Sequence, residues 1–424
     1  MQRTIQADER PSLLESIPLS LQHLFAMFGS TVLVPIYFGV NPAMILLMNG
    51  IGTLLYLFIC KGKIPAYLGS SFAFITPVLI VLGNYAPGEG YAYALGAFIV
   101  VGAIFTIVAI IIRYAGTRWI DIVLPTAAIG AVVAIIGLEL VPTAARMAGL
   151  IAPEDAVDWV MDPKAVTIAL VTLGVTILGN VMFRGFLKII PILVGIIVGY
   201  VTAAFMGYVD FTGVREASWF AMPDVITPKW NWQVIGTIAP AALVVIVEHI
   251  GHLIVTSNIV GKDLSKDPGL HRSLLGNGLS TMLSGFVGST PNTTYGENIG
   301  VMAISKVYST FVIGGAAVIA ILLSVFGKFA ALIQSIPTPV MGGVSLLLFG
   351  VIAVSGLRML VEANVDYNKP VNMILTAIVL VIGLSGVTVH IGEVPIKGMA
   401  LATIVAILLN LLLLVCDKLR LLNE

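Results

Sequence analysis

Two glutamates stand where an apolar chain would ordinarily exclude them. The first lies in Val245-Ile246-Val247-Glu248-His249-Ile250-Gly251-His252, in the middle of a hydrophobic run. Four residues separate Glu248 from His252, so the two share one helix face, while His249 is turned away by about 100°. A carboxyl and an imidazole one turn apart can share a proton. The order E-H-x-x-H differs from the H-E-x-x-H of zinc peptidases, the histidines are only three apart, and no third ligand is evident, so no metal or other cofactor is expected. The second acid, Glu297, belongs to Gly288-Ser289-Thr290-Pro291-Asn292-Thr293-Thr294-Tyr295-Gly296-Glu297-Asn298. Two carboxyl groups in a poorly solvated site couple their protonation, which is the chemistry of a proton carrier. A charged side chain at bilayer depth is costly enough that such a residue reads as functional. The alternative, a structural ion pair or a snorkelled side chain, finds few cationic partners nearby.

Other polar residues carry weaker signals. Glu139, and Glu393 with His390, fall near the ends of apolar runs and read as solvated structural groups. His23 reads equally as a packed, hydrogen-bonded histidine. Trp119, Trp219, Trp230 and Trp232 sit near run ends as interface anchors. Neither a metal-ligand set nor a nucleophile with its base can be placed, so an enzyme is the weakest class. Cys60 and Cys416 imply neither a disulfide framework nor a metal cluster.

Elements of bilayer length must position the acids. Of 424 residues, 58% are hydrophobic and 10% charged, and the mean hydropathy is +1.04, far from the roughly 25% charged residues of soluble domains. Net charge is zero, and no basic stripe tracks phosphates, so nucleic acid is not a partner and membrane lipid is. Apolar runs between Gly, Pro and charged punctuation give about fourteen spans, roughly 16-36, 41-60, 65-83, 91-112, 120-141, 165-182, 188-208, 233-256, 273-287, 289-304, 307-326, 330-355, 371-388 and 396-416. The expected class is thus an all-α polytopic membrane protein. Pro65, Gly69 and Pro77 interrupt the third span, and Gly288, Pro291, Gly296 and Gly300 the tenth. Broken backbone is tolerated at that depth only where it is buried in protein or lines a polar cavity. Both segments are therefore expected to expose backbone groups to a ligand, with positive helix N-termini following them; packing kinks are the bland alternative.

With the N-terminus inside, sixteen of the 22 Lys and Arg residues, Arg3, Lys61, Arg118 and Arg272 among them, fall on the cytoplasmic side. The outer six are Arg146, Lys164, Arg215, Lys229, Lys328 and Lys397. Both termini are expected in the cytoplasm. The two halves also match in order: Gln22-His23 with Glu248-His249, Gly69-Ser70-Ser71 with Gly288-Ser289-Thr290, and Pro125-Thr126 and Gly130 with Pro337-Thr338 and Gly342. The offsets are 226, 219 and 212 residues, seven spans each. An odd number reverses direction, so a seven-plus-seven inverted repeat is expected.

At these residues the chain resembles the nucleobase-cation symporter-2 family, the nucleobase-ascorbate transporters, and within it the uracil:proton symporters. The likeness runs from Gln22-His23 through Lys61 to Phe74 and Glu248 to His252 to the signature Glu297-Asn298-Ile299-Gly300, four positions, then Ser305-Lys306. The family pattern begins with Gln, Glu or Pro and ends in Thr followed by Lys, Arg or Gly, so Ser305 is a mild departure. The resemblance implies Glu at the first position in uracil carriers, commonly Gln in purine carriers, and Pro in ascorbate carriers. Uracil offers two ring N–H donors and two carbonyl acceptors, which suits acceptor-only carboxylates and backbone amides.

By that resemblance Glu248, Glu297, Phe72, Gly296, Ser71 and Tyr295 would bind substrate, Glu248 and His252 would couple protons, and Asn298, His23 and Phe349 would support the site. Phe349 stands where a Tyr is expected in the uracil carriers. The family fold implies short extended strands in spans 3 and 10, a core domain from 1–113 and 229–327, a gate domain from 114–228 and 328–424, a homodimer through the gate, and the cell's inner membrane. Rival readings are a xanthine or uric acid carrier, a fold-related anion transporter and a channel.

Overall fold

The computed structural model describes residues 4–153, 156 and 158–421, and the side chains of all of these except Ser30 and Asp121. Arg3, counted above on the inner side, lies outside the described residues. Eight helices among the described residues are long and apolar enough to cross a bilayer: Leu13–Phe38, Pro42–Ile59, Glu89–Ala115, Thr126–Met147, Pro163–Met182, Trp232–Val260, Thr338–Glu362 and Gly398–Lys418. Phe72–Gly83, Pro191–Phe205 and Pro370–Leu384 are shorter apolar helices. Leu270–Val287, Gly296–Ser305 and Thr310–Ser324 complete the sites of the expected spans, and every predicted stretch contains a helix.

The helices of the third and tenth stretches begin only at Phe72 and Gly296, after the interrupted segments, and the largest difference falls in the twelfth. The twelfth stretch was expected from residue 330, but its helix starts at Thr338, and the segment before it forms a separate short helix, Gly327–Gln334, bent by 88° from Thr310–Ser324. Pro337 is the cause: it disfavours helical backbone at Ile336 and itself sits extended as the cap (φ −64°, ψ 145°). Pro125 does the same between Arg118–Val123 and Thr126–Met147 (φ −66°, ψ 157°). Both Pro-Thr matches in the sequence are therefore helix starts that follow a short separate helix.

The chain is not wholly helical. Leu68–Ser70 (β1) and Asn292–Thr294 (β2) form an antiparallel ladder pairing Leu68 with Thr294 and Ser70 with Asn292. A buried two-stranded ladder leaves one edge of each strand unpaired, and two threonines serve those edges. Thr53 Oγ1 accepts from the Leu68 N–H at 2.9 Å. Thr281 Oγ1 accepts from the Asn292 N–H at 3.1 Å and donates to the Asn292 carbonyl at 3.0 Å. With those edges satisfied, extended backbone survives inside a membrane fold. A second hairpin, Thr388–Ile391 (β3) with Val394–Lys397 (β4), lies outside the all-α expectation. It carries His390 and Glu393 exposed, which fits their solvated reading.

The most extensive helix pairings are Thr126–Met147 with Thr338–Glu362, Glu89–Ala115 with Leu270–Val287, and Pro42–Ile59 with Thr310–Ser324. Pro163–Met182 pairs with Pro191–Phe205, as Pro370–Leu384 does with Gly398–Lys418. Small residues make the first of these close: a methyl added at Gly130 would meet the Gly356 carbonyl at 2.9 Å, and Gly342 lies against the backbone of Met147 and Ala148.

Candidate functional site

Helix Ala241–Val260 packs against the turn Phe72–Phe74, against β2 and against Gly296–Ser305. The ladder fixes how those pieces leave it. Ser71 N–H donates to the Pro291 carbonyl at 3.1 Å, and Tyr295 N–H to the Tyr67 carbonyl at 3.2 Å. Because the strands are antiparallel, Phe72–Gly83 and Gly296–Ser305 start at opposite ends of the ladder and run away from it. Their unpaired N–H groups and positive dipole ends are thereby held in the interior of the fold.

Glu248 and His252 are both mostly buried, with side chains 16% and 19% exposed, and Glu248 Oε1 lies 4.0 Å from His252 Nε2. Glu297 is half-buried in the first turn of Gly296–Ser305, and its carboxyl group interacts electrostatically with that of Glu248. Glu248 Oε2 and Ser71 Oγ are buried with no hydrogen-bond partner among the described residues. A methyl group at Gly296 would come within 3.2 Å of His252 Nε2, so glycine lets the imidazole lie against the helix start. The other ring nitrogen, Nδ1, is 3.3 Å from Thr294 Oγ1.

The remaining expected residues fall around this pair. Phe72 meets Phe349 edge to face, with ring centroids 5.8 Å apart, and Tyr37 stacks on Phe349 at 6.4 Å. Asn298 Oδ1 accepts from His23 Nδ1 at 2.9 Å, which ties the half-helix to Leu13–Ala26 (hydrogen-bond direction from the tautomer that donates). Tyr295 is turned across the ladder, where its hydroxyl donates to the Ser70 carbonyl at 3.2 Å and its ring covers Gly69. Glu139 lies apart, accepting from the Met399 N–H at 2.8 Å at the start of Gly398–Lys418.

His249 faces away from the acids. Its Nε2 is 2.9 Å from Ser273 Oγ, and its Nδ1 is 3.2 Å from Thr294 Oγ1 and 3.0 Å from Asn277 Nδ2. Ser273 Oγ in turn lies 2.6 Å from Tyr56 Oη. The sequence reading missed these partners, along with Thr53, Thr281 and Tyr37. A signal was present: Ser273, Asn277, Ser280, Thr281 and Ser284 fall on one face of a helix, each three or four residues from another of the set, and all five are buried.

Bilayer-length helices around an interior polar site of two acids, two imidazoles and two broken segments define a multi-pass membrane carrier. Residues 14–392 match the Permease family model, Xan_ur_permease, and the chain belongs to that family, the nucleobase-ascorbate transporters. It is 65% identical over 422 residues to a uracil permease of Paenibacillus larvae, covering 100% of this chain and 99% of that one. To the uracil permease of Escherichia coli K12 it is 62% identical over 418 residues, covering 99% and 96%. The transmembrane domain of the cyanobacterial bicarbonate transporter BicA shares the fold, with a TM-score of 0.65 over 97% of this chain and 98% of that one at 15% identity. The protein is a transporter and not an enzyme.

Proposed function

We propose that this chain imports uracil with a proton across the cell's inner membrane, by alternating access and with both termini in the cytoplasm. The observation that carries the reading is the pair of interacting acids, Glu248 within Ala241–Val260 and Glu297 at the start of a broken half-helix. Two acceptor groups match the two ring N–H donors of uracil, and N–H groups near Phe72 and Gly296 match its carbonyls. Ser71 lines the same place, and Glu248 with His252 carries the proton. Asn298, His23 and Phe349 hold these groups in position, and Tyr295 acts by fixing the ladder. The names of the 65% and 62% identical relatives support uracil as the substrate.

The division into a core of 1–113 with 229–327 and a gate of 114–228 with 328–424 draws support from the packing. Replacing each span by the one seven later turns the Glu89–Ala115 and Leu270–Val287 pair into the Thr310–Ser324 and Pro42–Ile59 pair. It likewise exchanges the two gate pairs and leaves Thr126–Met147 with Thr338–Glu362 unchanged. That exchange is what fourteen spans in an inverted repeat require. Uptake of radiolabelled uracil into deficient cells, with and without a protonophore, tests the reading: accumulation should collapse with the gradient, and uptake indifferent to it would refute symport. A panel of uracil, xanthine, uric acid and bicarbonate as competitors separates the purine and anion alternatives.

A further inference from the structure

Thr294 and His249 adjoin the acid pair through His252, and the groups beyond them form an unbroken polar series. Thr294 Oγ1 stands between two imidazoles, 3.3 Å from His252 Nδ1 and 3.2 Å from His249 Nδ1. His249 Nε2 is 2.9 Å from Ser273 Oγ, which is 2.6 Å from Tyr56 Oη. Tyr56 also hydrogen-bonds the side chain of Cys60, one turn nearer the end of its helix. A cavity runs alongside, lined among others by Tyr56, His249, His252, Thr256, Ser273 and Thr294. It lies between the C-terminal parts of Pro42–Ile59 and Ala241–Val260, the end of the fold that bears Lys61, Lys63 and Lys262.

We infer that Thr294, His249, Ser273 and Tyr56 form a proton-release route from the Glu248–His252 pair to the cytoplasmic side, separate from the path taken by substrate. The inference rests on the proton-symport reading. Each group in the series can receive a proton on one side and pass one on from the other. Glu248 gives its proton to His252 Nε2 across the 4.0 Å gap, which a carboxyl rotation or one bridging water closes. His252 Nδ1–H passes to Thr294 Oγ1, the threonine hydroxyl proton to His249 Nδ1, His249 Nε2–H to Ser273 Oγ, and the serine hydroxyl proton to Tyr56 Oη. One proton enters at His252, Tyr56 Oη hands one to water entering the adjoining cavity that it lines, every intermediate group ends neutral, and each then turns back to its starting orientation before the next transfer. All four relay residues belong to elements that pack together around the ladder, so the route does not cross the face against Thr338–Glu362.

A symporter must lose its proton inside to complete net influx, whereas exchange of internal for external uracil proceeds with the proton bound. The split gives the test. Wild type, Tyr56→Phe, Ser273→Ala and Ser273→Thr are reconstituted in liposomes, and each is measured for gradient-driven net uracil influx and for uracil exchange at equal pH. Tyr56→Phe and Ser273→Ala should slow net influx on the order of tenfold or more while exchange and uracil affinity stay at wild-type values, and Ser273→Thr, which keeps a hydroxyl, should restore influx. Net influx and exchange falling together, or neither falling, overturns the route. A wild type that ignores the proton gradient overturns the symport reading itself, which is a different result from a coupled wild type with indifferent variants.

Discussion

Glu297→Gln is the substitution that probes the site most directly. The two side chains have the same shape, so the first turn of Gly296–Ser305, the contact of Gly296 with His252 and the bond from His23 to Asn298 are all kept. What changes is the acceptor. A hydrogen bond to a charged group contributes about 1.5–3 kcal/mol, against about 0.5–1.5 kcal/mol between neutral partners. The difference, about 1–2 kcal/mol, corresponds to a rise in the uracil Kd of roughly 5- to 30-fold. The amide also introduces an N–H donor that a purine's ring acceptors can use and uracil's two N–H groups cannot. The variant should therefore bind uracil more weakly and lose discrimination against xanthine. Titration calorimetry on purified protein, with uptake competition by xanthine, reads both effects. Uracil affinity within twofold of wild type, with unaltered xanthine competition, would refute the placing of Glu297 against the pyrimidine ring.

The structure supports further outcomes. Gly69→Ala puts a methyl group into the Tyr295 ring across the ladder, and overpacking of that kind costs about 1–3 kcal/mol, so thermal melting of the purified protein should fall and uptake with it. Phe349→Ala removes the ring that Phe72 and Tyr37 both pack on, a loss of about 3–5 kcal/mol, whereas Phe349→Tyr keeps the ring and should melt closer to wild type than Phe349→Ala. Glu139→Ala deletes the acceptor for the Met399 N–H and should cost about 1 kcal/mol in the same melting assay, with Glu139→Gln recovering most of it.

Charge and punctuation made much of this readable in advance. Carboxylates in apolar runs are rare because they are costly, so Glu248 and Glu297 stood out against their neighbours, and Gly and Pro marked the two broken segments. What could not be read was pairing. β1 and β2 are separated by more than two hundred residues, and three-residue strands carry no alternation to identify them. Thr53 and Thr281 looked like ordinary helix residues for the same reason, since their role appears only when an unpaired strand edge is brought beside them. The start at Thr338 was misplaced because Gly327–Gln334 is apolar enough to extend a run, although Pro337 already forbade one continuous helix. Composition measures what is buried, whereas bends and partners depend on which backbone groups remain to be satisfied.

The ladder also bears on what would stay together in the movement proposed for the carrier. Thr53 and Thr281 bind β1 and β2 to the helices Pro42–Ile59 and Leu270–Val287, while Asn292 Nδ2 donates to the Met48 carbonyl at 3.1 Å and to Ser280 Oγ at 2.9 Å. Those bonds make the broken segments and their flanking helices one body. Phe349 reaches that body from Thr338–Glu362 through ring contacts with Phe72 and Tyr37, which lack the directional demands of a hydrogen bond and can slide. A movement of one packing group past the other would then break ring contacts at Phe349 and leave the bonds around Thr294, His249 and Ser273 unbroken. On the alternating-access proposal, access to the acids would change at the Phe72–Phe349 face, and the proposed relay would travel intact with the proposed substrate site.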